Sequence, residues 1–150
     1  MSNYYVDTSA LAKRYIAEVG SVWLRNWIRP KAGNTIIISR LTTIEMVSVL
    51  MGKQRAGILT STDFTRIRNN FFAHLRKQYT IAELDTPVFS TARRMLVKYP
   101  LRSLDAIQLA CALESAKSLG SPLTFVSADV RLLTAASTEG LAVDSPNAHP

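Results

Sequence analysis

Thr35-Ile36-Ile37-Ile38 is the stretch from which the fold is read, because all four residues are β-branched and none of the four is charged. A strand with one wet face alternates apolar and polar residues. An unbroken run predicts a strand covered on both faces, as in a parallel sheet carrying helices on either side. Working outward, Thr42 opens a helix with Ile44, Val47, Val49, Leu50 and Met51. Upstream, Tyr4-Tyr5-Val6 is another β-favouring run that ends at Asp7, and Thr8 to Ala17 then places Leu11, Tyr15 and Ile16 at helical spacing. The unit strand-then-helix therefore occurs twice in the first third of the chain.

The same alternation continues. Val22, Leu24, Trp27 and Ile28 keep helical spacing until Arg29-Pro30 stops them, and Gly57 breaks the helix opened at Thr42. Thr60 to Gln78 reads as a long basic amphipathic helix with Phe64, Ile67, Phe71, Phe72 and Leu75 on its apolar side, so these aromatics are assigned to packing. Tyr79–Leu84, Leu123–Val126 and Leu141–Val143 are the remaining strand candidates. Helices are expected from Thr86-Pro87 to Tyr99-Pro100, from Ser103 to Leu119 and from Asp129 to Ala136. The expected architecture is α/β: an open, mainly parallel sheet of four to five strands with helices on both faces, in a single domain over residues 1–150. Asp144–Pro150 is expected to be a loose tail.

Composition bounds the class. With 150 residues, 47% apolar and 19% charged, the chain can bury a core, which excludes a disordered polymer. No apolar run is long enough to span a bilayer, and Asp7, Lys13 and Arg14 fall where a signal peptide needs apolar residues, so a cytoplasmic protein is expected. The single cysteine, Cys111, lies among apolar neighbours and reads as a packed thiol. The net charge of +7 is unevenly distributed: +3 over residues 1–50, +6 over 51–100 and −2 over 101–150. A basic middle third suits a polyanionic partner.

Open parallel sheets bind ligands outside the carboxyl ends of their strands. Four acids fall there: Asp7 after the first strand, Glu45 one turn past the second, Asp105 at the start of the Ser103 helix and Asp129 after the fourth strand. Each alone has an ordinary explanation. Asp7 can cap the next helix, Thr42-Thr43-Ile44-Glu45 fits a capping box, and Asp105 and Asp129 suit helix N-termini. Capping does not explain four carboxylates at one rim, where they raise one another's pKa unless a cation intervenes. Oxygen-only ligands favour Mg²⁺ or Mn²⁺. His74, on the basic helix, and His149, in the tail, are poorly placed for a zinc site or a hydrolase triad, and Gly33, Gly52 and Gly57 form no phosphate-binding loop.

The quartet sits in four ordered motifs: Tyr5 to Leu11, Ser39 to Glu45, Leu101 to Ala110 and Phe125 to Leu133. Together they closely resemble the motifs of PIN-domain proteins, and of VapC-type toxins of type II toxin–antitoxin systems in particular. The resemblance runs from Tyr4 to about Val143. It implies a metal-dependent endoribonuclease using Mg²⁺ or Mn²⁺, a VapB-type antitoxin that covers the acidic site, and a homodimer. It assigns Asp7, Glu45, Asp105 and Asp129 as catalytic metal ligands, with Thr8, Ser9 and Ser127 as supporting hydroxyls.

Candidate RNA contacts are Arg40, Lys53, Arg55, Arg66, Arg68, Arg76 and Lys77, with Arg93, Arg94 and Lys98 further along; a solvated helix face is the alternative for each. Val22, Trp23 and Trp27 serve either the core or self-association. Two other functional readings stand beside the nuclease. One is a non-catalytic PIN-like protein-binding module whose acids are only caps. The other is a phosphoacceptor or phosphatase domain, which needs paired acids in the first-strand motif or a second Asp two residues after Asp7, where the chain has Ser9.

Overall fold

The sheet is built by five parallel strands, and its strand order explains where a ligand can sit. The computed structural model describes residues 1–150. In chain order the elements are β1 (Asn3–Val6), α1 (Thr8–Tyr15), α2 (Ser21–Ile28), β2 (Thr35–Ser39), α3 (Thr42–Arg55), α4 (Ser61–Lys77), β3 (Thr80–Ala82), α5 (Thr86–Lys98), α6 (Ser103–Leu119), β4 (Thr124–Val126), α7 (Val130–Thr138) and β5 (Ala142–Asp144). Neighbours across the sheet run β3-β2-β1-β4-β5, every pair parallel. The chain steps outward from β1 to β2 and β3, then returns to the other side of β1 for β4 and β5. Strand order therefore reverses between β1 and β4, which opens a crevice at their carboxyl ends.

Side-chain alternation divides the interior into two layers. Val6, Ile36, Ile38 and Val126 pack with Leu11, Leu24, Met46 and Phe71 from the α1–α4 side. Tyr5, Ile37 and Phe125 pack with Met95, Leu109, Cys111 and Leu132 from the α5–α7 side. Ile36, Ile37 and Ile38 thus enter alternate layers, and both layers are dry, so the middle of the strand needs an apolar residue at each position. Cys111 is fully buried, its thiol 3.4 Å from Ser39 Oγ. No helix is long and apolar enough to cross a membrane.

Three local expectations are corrected. Residues 144–150 are held against the body of the protein. Ser145 caps a short 3₁₀ turn over Pro146–Ala148, Pro146 is buried, and the His149 ring stacks on Trp23 at 4.1 Å while its Nε2 lies 2.8 Å from Asp144 Oδ1. Aromatic stacking and an ion-pair geometry outweigh the fraying expected of a chain end. The capping box at Thr42–Glu45 does not form: α3 starts after Leu41 without a side-chain cap, because Thr42 and Glu45 are engaged by other elements. The capping box belongs instead to α4, where Thr60 and Asp63 satisfy each other's amides at 3.0 and 3.1 Å. The third strand is also shorter than expected, covering Thr80–Ala82.

Trp23 and Trp27 are occupied within the molecule, the first by His149 and the second stacked on Tyr4 at 4.1 Å. His74 is half-buried in a polar cluster with Arg14, Tyr15 and Tyr79, where burial and then the Arg14 charge push its pKa down to about 4.

Candidate active site

Asp7 ends β1 at the crevice, and its carboxylate is the most enclosed of the four, 5% exposed. Its position is fixed twice over: its backbone N–H donates to Val126 O at 3.1 Å, and its side chain caps α1 by accepting from the Ala10 N–H at 3.1 Å. The Ser9 hydroxyl donates to Oδ1 at 2.8 Å and the Ser127 hydroxyl to Oδ2 at 2.9 Å. Ser127 Oγ in turn accepts from the Asp129 N–H, and Ser9 Oγ from the Ala128 N–H, both at 3.0 Å. The β1 and β4 ends are laced together through the two serines. Burial pushes the Asp7 pKa up to about 7, although the Ser9, Ala10 and Ser127 bonds oppose it.

Glu45 is held by a different set of groups. Its Oε1 accepts from the Thr8 hydroxyl at 2.8 Å and from Gln108 Nε2 at 2.8 Å. Gln108, on α6, is buried; Nε2 also lies 3.0 Å from Thr42 Oγ1 and 3.3 Å from Thr8 Oγ1, and its Oε1 accepts from the Tyr5 hydroxyl at 2.6 Å. One amide thereby ties β1, α1, α3 and α6 together beneath the acids. Its sequence signal was a lone amide inside the apolar run Ala106-Ile107-Gln108-Leu109-Ala110.

Asp105 and Asp129 complete the rim. Asp129 caps α7, its Oδ1 accepting from the Arg131 and Leu132 N–H groups at 2.9 and 3.4 Å. Asp105 stands in the first turn of α6, and its pKa is raised by burial first, then by the charges of Asp129 and Glu45, with Arg102 acting against them. All four acids line one depression of about 420 Å³, together with Thr8, Ser9 and Gln108. An adjoining cleft of about 750 Å³ shares Glu45, Asp105 and Asp129 and extends between Arg102 and Arg131.

The donor set is wholly carboxylate and hydroxyl oxygen, which suits a hard divalent cation rather than zinc. The acids share a depression but are not gathered: no three His, Cys, Asp or Glu side chains are arranged to hold an ion. The hydrogen bonds account for this, because Asp7 is turned toward its serines, Glu45 toward Thr8 and Gln108, and Asp129 toward the α7 amides.

The candidate RNA contacts are placed differently. None of Arg40, Lys53, Arg55, Arg66, Arg68, Arg76 and Lys77 lines either depression. Arg40 follows β2 on the same rim but is ion-paired with Glu83. Lys53, at the end of α3, pairs with Glu18 at 3.5 Å. Arg76 and Lys77 close α4 just before β3 begins, which sets them at the amino-end rim of the sheet, opposite the acids. Arg66 lies 3.4 Å from Asp63, and Arg68 lies over the Phe64 ring. The cations that do line the cleft are Arg102 and Arg131, which the charge reading passed over because each sits beside an acid and cancels it in any running sum.

The PIN domain family matches residues 4–136. Ribonuclease VapC47 of Mycobacterium tuberculosis is 33% identical over 146 residues, 96% of this chain and 97% of that protein. Among solved structures, VapBC2 from Rickettsia felis, bound to a DNA fragment from its promoter, is similar with a TM-score of 0.67 at 12% identity, covering 97% of this chain and 98% of that one. PAE2754 from Pyrobaculum aerophilum is similar with a TM-score of 0.65 at 21% identity, covering 98% and 85%. A five-stranded parallel sheet with acids at its strand-order reversal, and near full-length similarity to a VapC ribonuclease, agree: the chain belongs to the PIN-domain family, in its VapC branch.

Proposed function

We propose that this chain is a VapC-type toxin, an endoribonuclease that hydrolyses RNA phosphodiester bonds and is held inactive by a VapB-type antitoxin. The observation that carries the reading is the convergence of Asp7, Glu45, Asp105 and Asp129 on a single depression at the β1/β4 crevice. A protein-binding module would have no need of four carboxylates lining one depression, where burial and mutual charge already push Asp7 and Asp105 upward.

Asp7, Asp105 and Asp129 would hold Mg²⁺ or Mn²⁺, with Glu45 directly or through water; filling the site requires the partly exposed Asp105 and Asp129 to adjust. When bound, the cation supplies a water made more acidic and stabilises negative charge on the phosphate and the leaving oxygen. The chain's own residues do the rest. Ser9 and Ser127 fix the Asp7 carboxylate by donating to both of its oxygens. Gln108 and Thr8 hold Oε1 of Glu45, which leaves Oε2 to accept a proton from the attacking water. Water oxygen bonds to phosphorus, the bond from phosphorus to the 3′ oxygen breaks, the departing 3′ oxygen takes up a proton from solvent, and the products are a 5′-phosphate and a 3′-hydroxyl.

The test is to map RNA 5′ ends in cells after brief induction of the wild type and of Asp7→Asn/Asp105→Asn. New 5′-phosphate ends and growth arrest are expected with the wild type only. Equal cleavage and arrest by the double variant would dispose of the nuclease reading.

A further inference from the structure

We infer that Arg102 and Arg131 form the phosphate clamp that seats RNA over the acidic site, gripping phosphates that flank the one being cut. The inference rests on the ribonuclease reading and deepens it by assigning the substrate-binding residues. Of the 18 Lys and Arg in the chain, only these two line the cleft that continues from the acids. Arg102 precedes α6 at its N-cap and Arg131 lies in the first turn of α7, so each stands two or three residues from an acid of the quartet, Asp105 or Asp129. Both are exposed, and neither takes part in an ion pair. Arg102 is close enough for its charge to be felt at Asp105.

The electrostatics require such a pair. One divalent cation does not cancel four carboxylates, so phosphates to either side of the scissile one still meet a net negative wall. A mobile guanidinium on either side supplies the missing positive charge and presents a planar fork that matches two phosphate oxygens. The backbone beneath each arginine is fixed, Arg131 by its N–H bond to Asp129 Oδ1 and Arg102 by its carbonyl, which accepts from the Ala106 N–H at 2.9 Å. The anchors are rigid while the forks remain free to close on a strand. The more numerous cations of α3 and α4 act at longer range, attracting RNA without positioning it.

The experiment measures binding of a short, labelled, single-stranded oligoribonucleotide by fluorescence anisotropy across a salt series, in an Asp7→Asn background that prevents cleavage. Cleavage and Mn²⁺ uptake are measured in the otherwise native protein. Arg102→Ala and Arg131→Ala are each expected to weaken RNA binding about tenfold and to flatten the log–log salt slope by about 0.7. Mn²⁺ affinity should not fall, since a positive charge felt at Asp105 opposes cation binding, and the melting temperature should not move. Arg102→Lys should keep the slope while recovering only part of the affinity, since charge is retained and the fork is lost. Lys31→Ala, in the turn that leads into the amino end of β2, should bind as the wild type does. Unchanged affinity and slope in both alanine variants, with the native protein cleaving RNA and taking up Mn²⁺, would overturn the clamp alone. Failure of the native protein to cleave RNA at all would overturn the underlying reading.

Discussion

At the scale of single residues the site is organised from below by an amide. Gln108 donates to Glu45 and Thr42 and accepts from Tyr5, so every polar atom of a buried side chain is satisfied by a residue that itself lies on or beneath the acidic rim. Its replacement by leucine would leave the Tyr5 hydroxyl without an acceptor and remove a donor from Glu45. The cost of a buried unpaired group is about 1–3 kcal/mol, so Gln108→Leu should lower stability by roughly that amount in urea unfolding. Deleting the stranded partner as well tests the cause: Tyr5→Phe/Gln108→Leu should recover part of the loss. If the two substitutions simply add, the Tyr5–Gln108 bond is not what stabilises this layer. Such a network is hard to read from sequence, because a glutamine inside an apolar helical stretch carries no mark of its partners, which come from residues 5, 8, 42 and 45.

At the scale of elements, what was legible depended on whether the determining residues were local. β2 was readable because each of Ile36, Ile37 and Ile38 must be apolar to enter one of two dry layers, and α5 because Thr86-Pro87 and Pro100 bracket it. Asp7 was readable as a cap, and it caps α1 while lining the depression that the four acids share. The tail was not readable: nothing in Asp144–Pro150 announces a ring stacked on Trp23, since that partner lies more than a hundred residues away. Gly20 shows how closely the tail fits. It has φ +84° at the N-cap of α2, and a Cβ there would stand 2.2 Å from Pro146 O. Gly20→Ala therefore combines a left-handed backbone with a collision, and a loss of about 2 kcal/mol or more is expected. Faster hydrogen exchange at the Ala148 and His149 amides, which bond to Ser145 O and Pro146 O at 3.1 Å, should accompany it. Unaltered exchange there would mean the tail is secured elsewhere.

At the scale of the whole molecule, the acidic rim sets how stability varies with pH. Asp7 titrates near pH 7 in the folded protein, against an ordinary value of 3.8. Below about pH 4 the carboxyl is protonated whether the chain is folded or not, and it contributes nothing. Between pH 4 and 7 the unfolded chain releases its proton while the folded one keeps it, so unfolding becomes progressively easier. Above pH 7 the full penalty, on the order of 4 kcal/mol, is present. Asp7→Asn carries no such penalty. In chelator, its melting temperature should match the wild type near pH 4 and exceed it at pH 8, by a margin on the order of 10 °C. On the proposed metal-dependent reading, millimolar Mg²⁺ or Mn²⁺ should restore wild-type stability at pH 8 and do little at pH 4, because a ligand stabilises only the state that binds it and protonated carboxyls do not ligate. Parallel melting curves for the two proteins across this range would show that Asp7 ionises freely, and that the strain relieved by a cation lies elsewhere on the rim.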